Sequence, residues 1–420
     1  MAKRIFIGAS GSRGDIEPMI ALSKALSKAG YDVLLGAPPD FAAWIASHGV
    51  AHLSIGEPAR RFVDELAGAI AANTFLRNLA DPKYERAFRL QYEDLFRGSE
   101  GADLLIFSTM LSGMTCIAEA RKIPAMGALL APMLPTADFA PPMQSRFSYG
   151  GYLNRLSHKG VNLALYTLFR PWWNRMRRDM LGLKPSGRLH NFRSVNGKPA
   201  PLLFAFSEAL IPRPRDWPDY AVVTGNWLLD DAENWAPPPD LAEFLEAGPP
   251  PLYIGFGSMP LGRASAKAGV LKDALRLSGR RAILARGWGA WDEHAFSTLG
   301  GQVHAIDAAP HRKLFPLVAG VVCHGGAGTT AASLRAGRPA LVTPLMLDQF
   351  FFANLVTRHG AGPAPLPVAT WRADRLAARL KDLADTPRYA SRARDISARM
   401  AKEDGLGRAL DAVSGVIGPP

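Results

Sequence analysis

Short apolar runs alternate with amphipathic helical stretches along this chain, and the alternation occurs twice. In the first third, "RIFIGAS", "YDVLLGAP", "AHLSIG", "DLLIFS" and "AMGALLAP" read as strands. Between the first two, "EPMIALSKALSKAG" places Met19, Leu22, Leu26 and Ala29 on one helical face and stops at Gly30. The pattern resumes with "PLYIGFGS" (251–258), "RAILARG" (281–287), "GQVHAID" (301–307), "GVVCHGG" (320–326) and "PALVTP" (339–344). A strand that is apolar throughout needs cover on both faces, and helical connections make neighbouring strands parallel. The expected fold class is therefore α/β, with two doubly wound, Rossmann-like domains.

The stretches "IPRPRDWPDY" and "NWAPPPD" cluster prolines between the two periodic regions and read as a linker. This puts a first domain at 1–235 and a second at 236–394, with a helical segment from about 395 to 420 returning to pack on the first. The 420 residues are enough for two domains, and 48% hydrophobic with 20% charged residues argues against wholesale disorder.

The formal net charge of +12 suits an anionic partner: a nucleotide diphosphate, an anionic lipid surface or nucleic acid. General basicity of an arginine-rich chain is the plainer alternative. Zinc-finger spacing, RNP-like strands and basic-region heptads are all missing, so no nucleic-acid partner is expected. Cys116 and Cys323 are too few for a disulfide framework or zinc site and read as core fillers in a reducing cytoplasm. The chain enters a strand at once, so no secretory leader is expected, and no apolar run is long enough to span a bilayer. The expected location is cytoplasmic, with peripheral contact at the inner face of the membrane.

Two loops carry the chemistry. "GASGSRGDIEP" (8–18) follows the first strand, but Gly8, Gly11 and Gly14 do not fit dinucleotide spacing and no P-loop Lys follows. Asp15 stands where a phosphate would meet negative charge; at a helix N-terminus it is either a cap or a functional carboxylate. "HGGAGTT" (324–330) is the complement. Its glycines expose backbone N–H groups at a helix N-terminus, Thr329 and Thr330 add hydroxyls, His324 adds an imidazole, and no acid is near. That is an anion cradle. One βα unit later, Asp348 and Gln349 lie at a strand's carboxyl end, placed to bond sugar hydroxyls.

"HGGAGTTAASLRAGRPALVTPLMLDQFFFAN" resembles the donor signature of the family-one, UDP-sugar-dependent glycosyltransferases of GT-B fold. "GSRGDIEPMIALSKALSKAGYDV" resembles their N-terminal acceptor loop, and "DWPDYAVVTGNW", "PPLYIGFGSM" and "LARGW" are similar to the branch holding sterol and glycopeptide glycosyltransferases. The resemblance covers nearly the whole chain and implies two domains facing across a cleft. It implies that Asp15 takes the place of the family's basic His, with Ser12, Arg13 and Gly14 on the acceptor side. Ser108 and Thr109 stand where an orienting Asp would follow "DLLIF". The donor diphosphate would meet His324 and the backbone of Gly326, Ala327, Gly328 and Thr329, with Ser258 near, and the sugar would meet Asp348 and Gln349. Ala332 replaces the plant Glu that binds ribose, and Trp288 is a substitute for a base-stacking Trp or a packed domain-edge aromatic. His311 shapes the base pocket or caps a helix.

The implied reaction is inverting transfer of a hexose, glucose, from a UDP-sugar to a hydroxyl of a lipophilic acceptor. No Asp-x-Asp motif is present, so neither metal nor other cofactor is expected. The helical, aromatic and Arg-rich segment 152–183 reads either as a packed helix pair or as an acceptor lid or membrane patch presenting Trp172, Trp173, Arg175, Arg177 and Arg178. A nucleotide-sugar epimerase and a non-catalytic nucleotide-sugar or lipid-binding protein are the rival readings.

Overall fold

The computed structural model describes residues 2–420 apart from 62–63, 66–67, 69–80, 143–147, 187–193, 196, 231–234, 260–263 and 289–292. The first sheet contains β1 (Arg4–Gly8), β2 (Asp32–Ala37), β3 (Ala51–Ser54), β4 (Leu104–Ser108), β5 (Ala125–Leu129), β6 (Leu202–Phe204) and β7 (Ala221–Val223), in the order β3-β2-β1-β4-β5-β6-β7. The second contains β8 (Leu252–Gly255), β9 (Ala282–Ala285), β10 (Val303–Ile306), β11 (Gly320–Cys323) and β12 (Ala340–Val342), in the order β10-β9-β8-β11-β12. All pairings in both sheets are parallel. The chain thus folds into two parallel α/β domains of Rossmann type.

Strands β6 and β7 correct the sequence reading. "IPRPRDWPDY" does not link the domains; it lies between two strands that complete the first sheet. Three-residue strands are too short to show a period. Their neighbours Pro212, Pro214 and Pro218 sit in the connection, where no ladder hydrogen bond is lost.

The helices that position the site are α1 (Arg13–Lys28), α2 (Gly151–Arg175), α3 (Ala327–Arg335), α4 (Gln349–Arg358), α5 (Pro387–Met400) and α6 (Gly405–Ile417). Helix α1 buries Ile16, Met19, Ile20, Leu22 and Leu26 in one cluster with Ile5, Ile7, Leu35 and Ile106. Each such side chain contributes about 1.5–3 kcal/mol when removed from water. Ala29 is not on this face; it is the exposed C-cap. The helix begins four residues before Glu17, so Pro18 lies inside it rather than at its start.

Helix α6 returns to the first domain. Its Ala409 and Val413 join the cluster under α1, and the Tyr31 hydroxyl donates to Gly418 O at 2.8 Å. Helix α5 packs instead on α3 in the second domain, so residues 395–400 do not take part in the return. Between them, Glu403 Oε1 accepts from the Ser207 hydroxyl at 2.7 Å, tying the crossing to the first domain. Cys116 and Cys323 are both buried. Among the described residues no helix is long and apolar enough to cross a membrane.

In each sheet the strand order reverses once, between β1 and β4 in the first and between β8 and β11 in the second. Crevices outside the carboxyl ends of strands at such points are where open α/β sheets take ligands. The loop after β1 leads to Asp15, the loop after β8 holds Ser258, and the loop after β11 holds His324.

Candidate functional site

On the first-domain side, Gly11 has φ +126°, and a Cβ there would lie 2.3 Å from Asp15 Oδ2. The turn therefore takes glycine both for its backbone and for the carboxylate folded against it. Asp15 Oδ2 accepts from the Ser12 N–H at 2.7 Å and from the Ser12 hydroxyl at 3.1 Å. Asp15 is the third helical residue and closes the N-terminus of α1, so the capping geometry is realised. Burial raises its pKa above the usual carboxylate value, against both bonds from Ser12. Ser108 Oγ accepts from the Ser10 N–H at 3.3 Å and so engages the loop backbone. Arg13 lies over the Trp44 ring at 4.4 Å and 3.6 Å from Glu17, which is thereby paired at the surface.

On the second-domain side, Gly326 is the N-cap of α3. The N–H groups of Ala327, Gly328 and Thr329 are among those that an α-helix leaves without an intrahelical acceptor. Gly325 has φ +94°, and a Cβ there would meet Val342 Cγ1 at 2.5 Å. His324 is half-buried beside this turn; its Nδ1 is buried without a hydrogen-bond partner, and burial holds its pKa down at about 4. At neutral pH it is an uncharged imidazole beside the N-terminus of α3. Ser258 is buried on the neighbouring loop.

His311 stacks on Phe315 at 4.3 Å, with Nε2 3.4 Å from the Tyr253 hydroxyl. Burial first, then repulsion from Arg13 and from His324 where that ring is protonated, holds its pKa down at about 4. Arg13 thus acts across the cleft, a reach that its place on the first-domain loop did not disclose. Asp348 has its pKa pushed up to about 6, by burial and then by the Asp15 carboxylate. Gln349 is buried, and its Oε1 accepts from the N–H groups of Leu345 and Met346 at 2.7 and 3.1 Å. The turn it holds contains Leu347 at φ +51°, a strained conformation for a residue with a branched side chain. One turn on, Phe351 meets Phe139 of the first domain edge-on at 5.4 Å.

For three aromatics the structure shows the packed alternative of the two readings. Trp288 stacks on Phe41 of the first domain at 6.4 Å, and its carbonyl accepts from Arg60 Nη2 at 3.2 Å. This is packing at a domain edge. Trp173 is buried, edge-on to Tyr92 at 5.1 Å, with its ring laid on the Gly113 backbone so closely that a Cβ there would overlap it. Trp172 is half-buried against Phe88 at 5.3 Å and Phe169 at 5.6 Å. Neither tryptophan stands fully exposed at the surface. Of the cations read with them, Arg177 is buried in a pair with Glu119 at 2.7 Å, Arg175 is tied to Glu85 at 2.6 Å, and Arg178 is exposed beside Asp179. An Arg-rich aromatic segment does not show by composition which side faces inward.

Residues 5–138 match the glycosyltransferase family 28 N-terminal domain, and residues 289–405 match the C-terminal domain described as erythromycin biosynthesis protein CIII-like. A sterol 3-beta-glucosyltransferase of Arabidopsis thaliana is 30% identical over 97% of this chain and 67% of its own length. The chain belongs to the family-one GT-B glycosyltransferases. A second Arabidopsis thaliana sterol 3-beta-glucosyltransferase is 32% identical over 96% of this chain and 64% of its own length. A Neosartorya fischeri sterol 3-beta-glucosyltransferase is 31% identical, and this family member spans 29% of its length. The GT-B fold is shared with the solved glycosyltransferase VinC in complex with DTDP, at TM-score 0.69 and 18% identity over 99% of both chains.

Proposed function

We propose that this GT-B protein moves glucose from UDP-glucose to the hydroxyl of a sterol-like, lipophilic acceptor, with inversion. The observation that carries the reading is the opposition of two unlike loops at the two switch points. One offers a carboxylate, Asp15; the other offers helix N–H groups and His324 with no acid among them. That the similar Arabidopsis thaliana proteins are sterol 3-beta-glucosyltransferases supports the sugar and the acceptor class.

In this mechanism Asp15 takes the acceptor's hydroxyl proton as the oxygen attacks the anomeric carbon. The new C–O bond forms on the face opposite the breaking C–O bond to phosphate. The diphosphate leaves with the electron pair, and the N–H groups of Ala327 to Thr329 together with His324 stabilise its growing charge. General-base help of this kind is worth about 10²–10⁴-fold. Asp348 accepts from a sugar hydroxyl. The amide oxygen of Gln349 is committed to its turn, so its Nε2 is the group left to donate. As Asp15 takes up a proton, its repulsion of Asp348 falls. Ser12, Arg13 and Gly14 border the acceptor, and Ser258 and His311 line the donor pocket. The reaction needs no metal in this scheme, because the cradle receives the leaving charge. The net charge of +12 and a lipophilic acceptor favour a cytoplasmic protein in peripheral contact with a membrane.

The test is incubation with UDP-glucose, its thymidine counterpart and a sterol panel, in excess chelator, with product mass as readout. A hexosyl sterol formed from the uridine donor is expected. Release of epimerised sugar without acceptor, or activity lost in chelator and restored by Mg²⁺, would overturn the scheme.

A further inference from the structure

We propose that the outer face of α2 docks the protein on an anionic bilayer. Tyr152, Leu156 and Leu163 are spaced by four and seven residues and so share one face of the helix. They are 77%, 49% and 49% exposed, and Leu153 beside them is 55% exposed. The helix is nonetheless firmly seated, because Asn154, His158, Tyr166 and Trp173 are buried. Single exposed leucines are ordinary on a protein surface, but a contiguous apolar stripe on an anchored helix marks a contact.

Charge selects the occupant. The 25 residues of α2 include no Asp or Glu. Arg155 and Arg175 are paired with Asp216 and Glu85, both at 2.6 Å. Lys159 and Arg170 are exposed, and they fall seven residues after Tyr152 and Leu163, on the same face as the leucines. Leucines interleaved with cations and headed by a tyrosine suit a helix lying in the headgroup region of an anionic membrane. A second copy of the chain is a poorer occupant, since a two-fold contact would set these cations against one another.

The stripe is wired to the cleft. Asn154 Nδ2 donates to Ala137 O at 2.9 Å, and His158 Nε2 lies 3.1 Å from Phe139 O. Asp216, the partner of Arg155, also accepts from the Thr136 hydroxyl at 2.8 Å and the Ala137 N–H at 2.9 Å. Loop 136–139 is thus pinned to the docking helix, and its Phe139 packs on Phe351, three residues after Asp348. A bilayer on α2 would lie beside the loop bordering the cleft, which, on the reading that the acceptor is lipophilic, is where that acceptor enters.

The test is co-sedimentation of the full chain with phosphatidylcholine vesicles, with and without one third phosphatidylglycerol. Binding to the anionic vesicles is expected, weakening with salt. The Leu156→Glu/Leu163→Glu variant should lose about ten-fold or more of that binding, with its melting temperature and its transfer to a detergent-dispersed acceptor unchanged. Lys159→Glu/Arg170→Glu, which leaves the leucines in place, should weaken binding and flatten its salt dependence. Equal binding by all three proteins, or no binding by the unaltered chain, overturns the proposal. So does a dimer in vesicle-free solution that Leu156→Glu/Leu163→Glu dissociates. Failure to glucosylate any sterol would sink the functional reading, while the vesicle result would still decide the docking face.

Discussion

Asp15 and Asp348 come from different domains and oppose each other electrostatically across the cleft: the charge of Asp15 adds to burial in pushing the Asp348 carboxyl up to about 6. Two carboxylates brought together in this way cost stability, and retaining both is expected where they serve a function.

Asp348→Asn should therefore stabilise the protein at pH 7 while abolishing or strongly reducing transfer. Asp348 is half-buried, and its folded pKa lies above the unfolded value of 3.8, so its penalty is fully present above about pH 6 and is relieved as the pH falls toward 4. The gain should be about 1–3 kcal/mol at pH 7 and should vanish in acid. Chemical denaturation of both proteins at several pH values measures it. A loss of stability at pH 7 would show that the carboxylate is held by bonds that the asparagine lacks.

Asp15→Asn can still accept from the Ser12 N–H, so the capped end of α1 should survive within about 1 kcal/mol. Turnover should drop by about two to four orders of magnitude. Because burial raises the Asp15 pKa, the acid limb of kcat/KM should lie above the ordinary carboxylate range and disappear in the variant. Near-normal turnover would reduce Asp15 to a cap. Glu17 is a poor substitute, being paired with Arg13 at 3.6 Å.

His324→Ala should weaken donor binding by about ten- to a hundredfold, the loss of one hydrogen bond to a charged group worth about 1.5–3 kcal/mol. Titration calorimetry with UDP-glucose checks this. Stability gives a second readout. His324 and His311 are both held at about 4, so the unfolded chain takes up protons that the folded one refuses, and stability falls as the pH drops from 6.5 toward 4. Removing His324 should make that fall shallower; an unchanged slope would mean that its ring is not held neutral.

Trp173→Ser should destabilise the first domain by about 3–5 kcal/mol, as expected for emptying an aromatic site in a core. Trp172→Ser, at a half-buried position, should cost less. Donor affinity of the folded fraction should stay unchanged for both. A stable Trp173→Ser protein with a raised acceptor KM would restore the surface role.

The fold class was legible because period and punctuation are local. Apolar runs such as "LLIFS" and "GVVC", short and bounded by turn residues, read as strands covered on both faces, and the turns at Gly11 and Gly325 show their positive-φ glycines in the sequence itself. The glycine-rich turn opening α3 was legible for the same reason, since its glycines and the first helix N–H groups are consecutive in the chain. What tertiary structure decided is whatever depends on which surfaces meet. β6 and β7 exist because β5 offers an open edge, not because three residues show a period. Trp173 lies in the core and Tyr152 in solvent, although both stand on one aromatic, basic helix. Trp288 is spoken for by Phe41, about 250 residues away in sequence. The pKa values of His311 and Asp348 are set first by burial and then by charges carried by the other domain, at Arg13 and Asp15. Coulomb forces and packing act through space, and a linear sequence orders residues only along the chain.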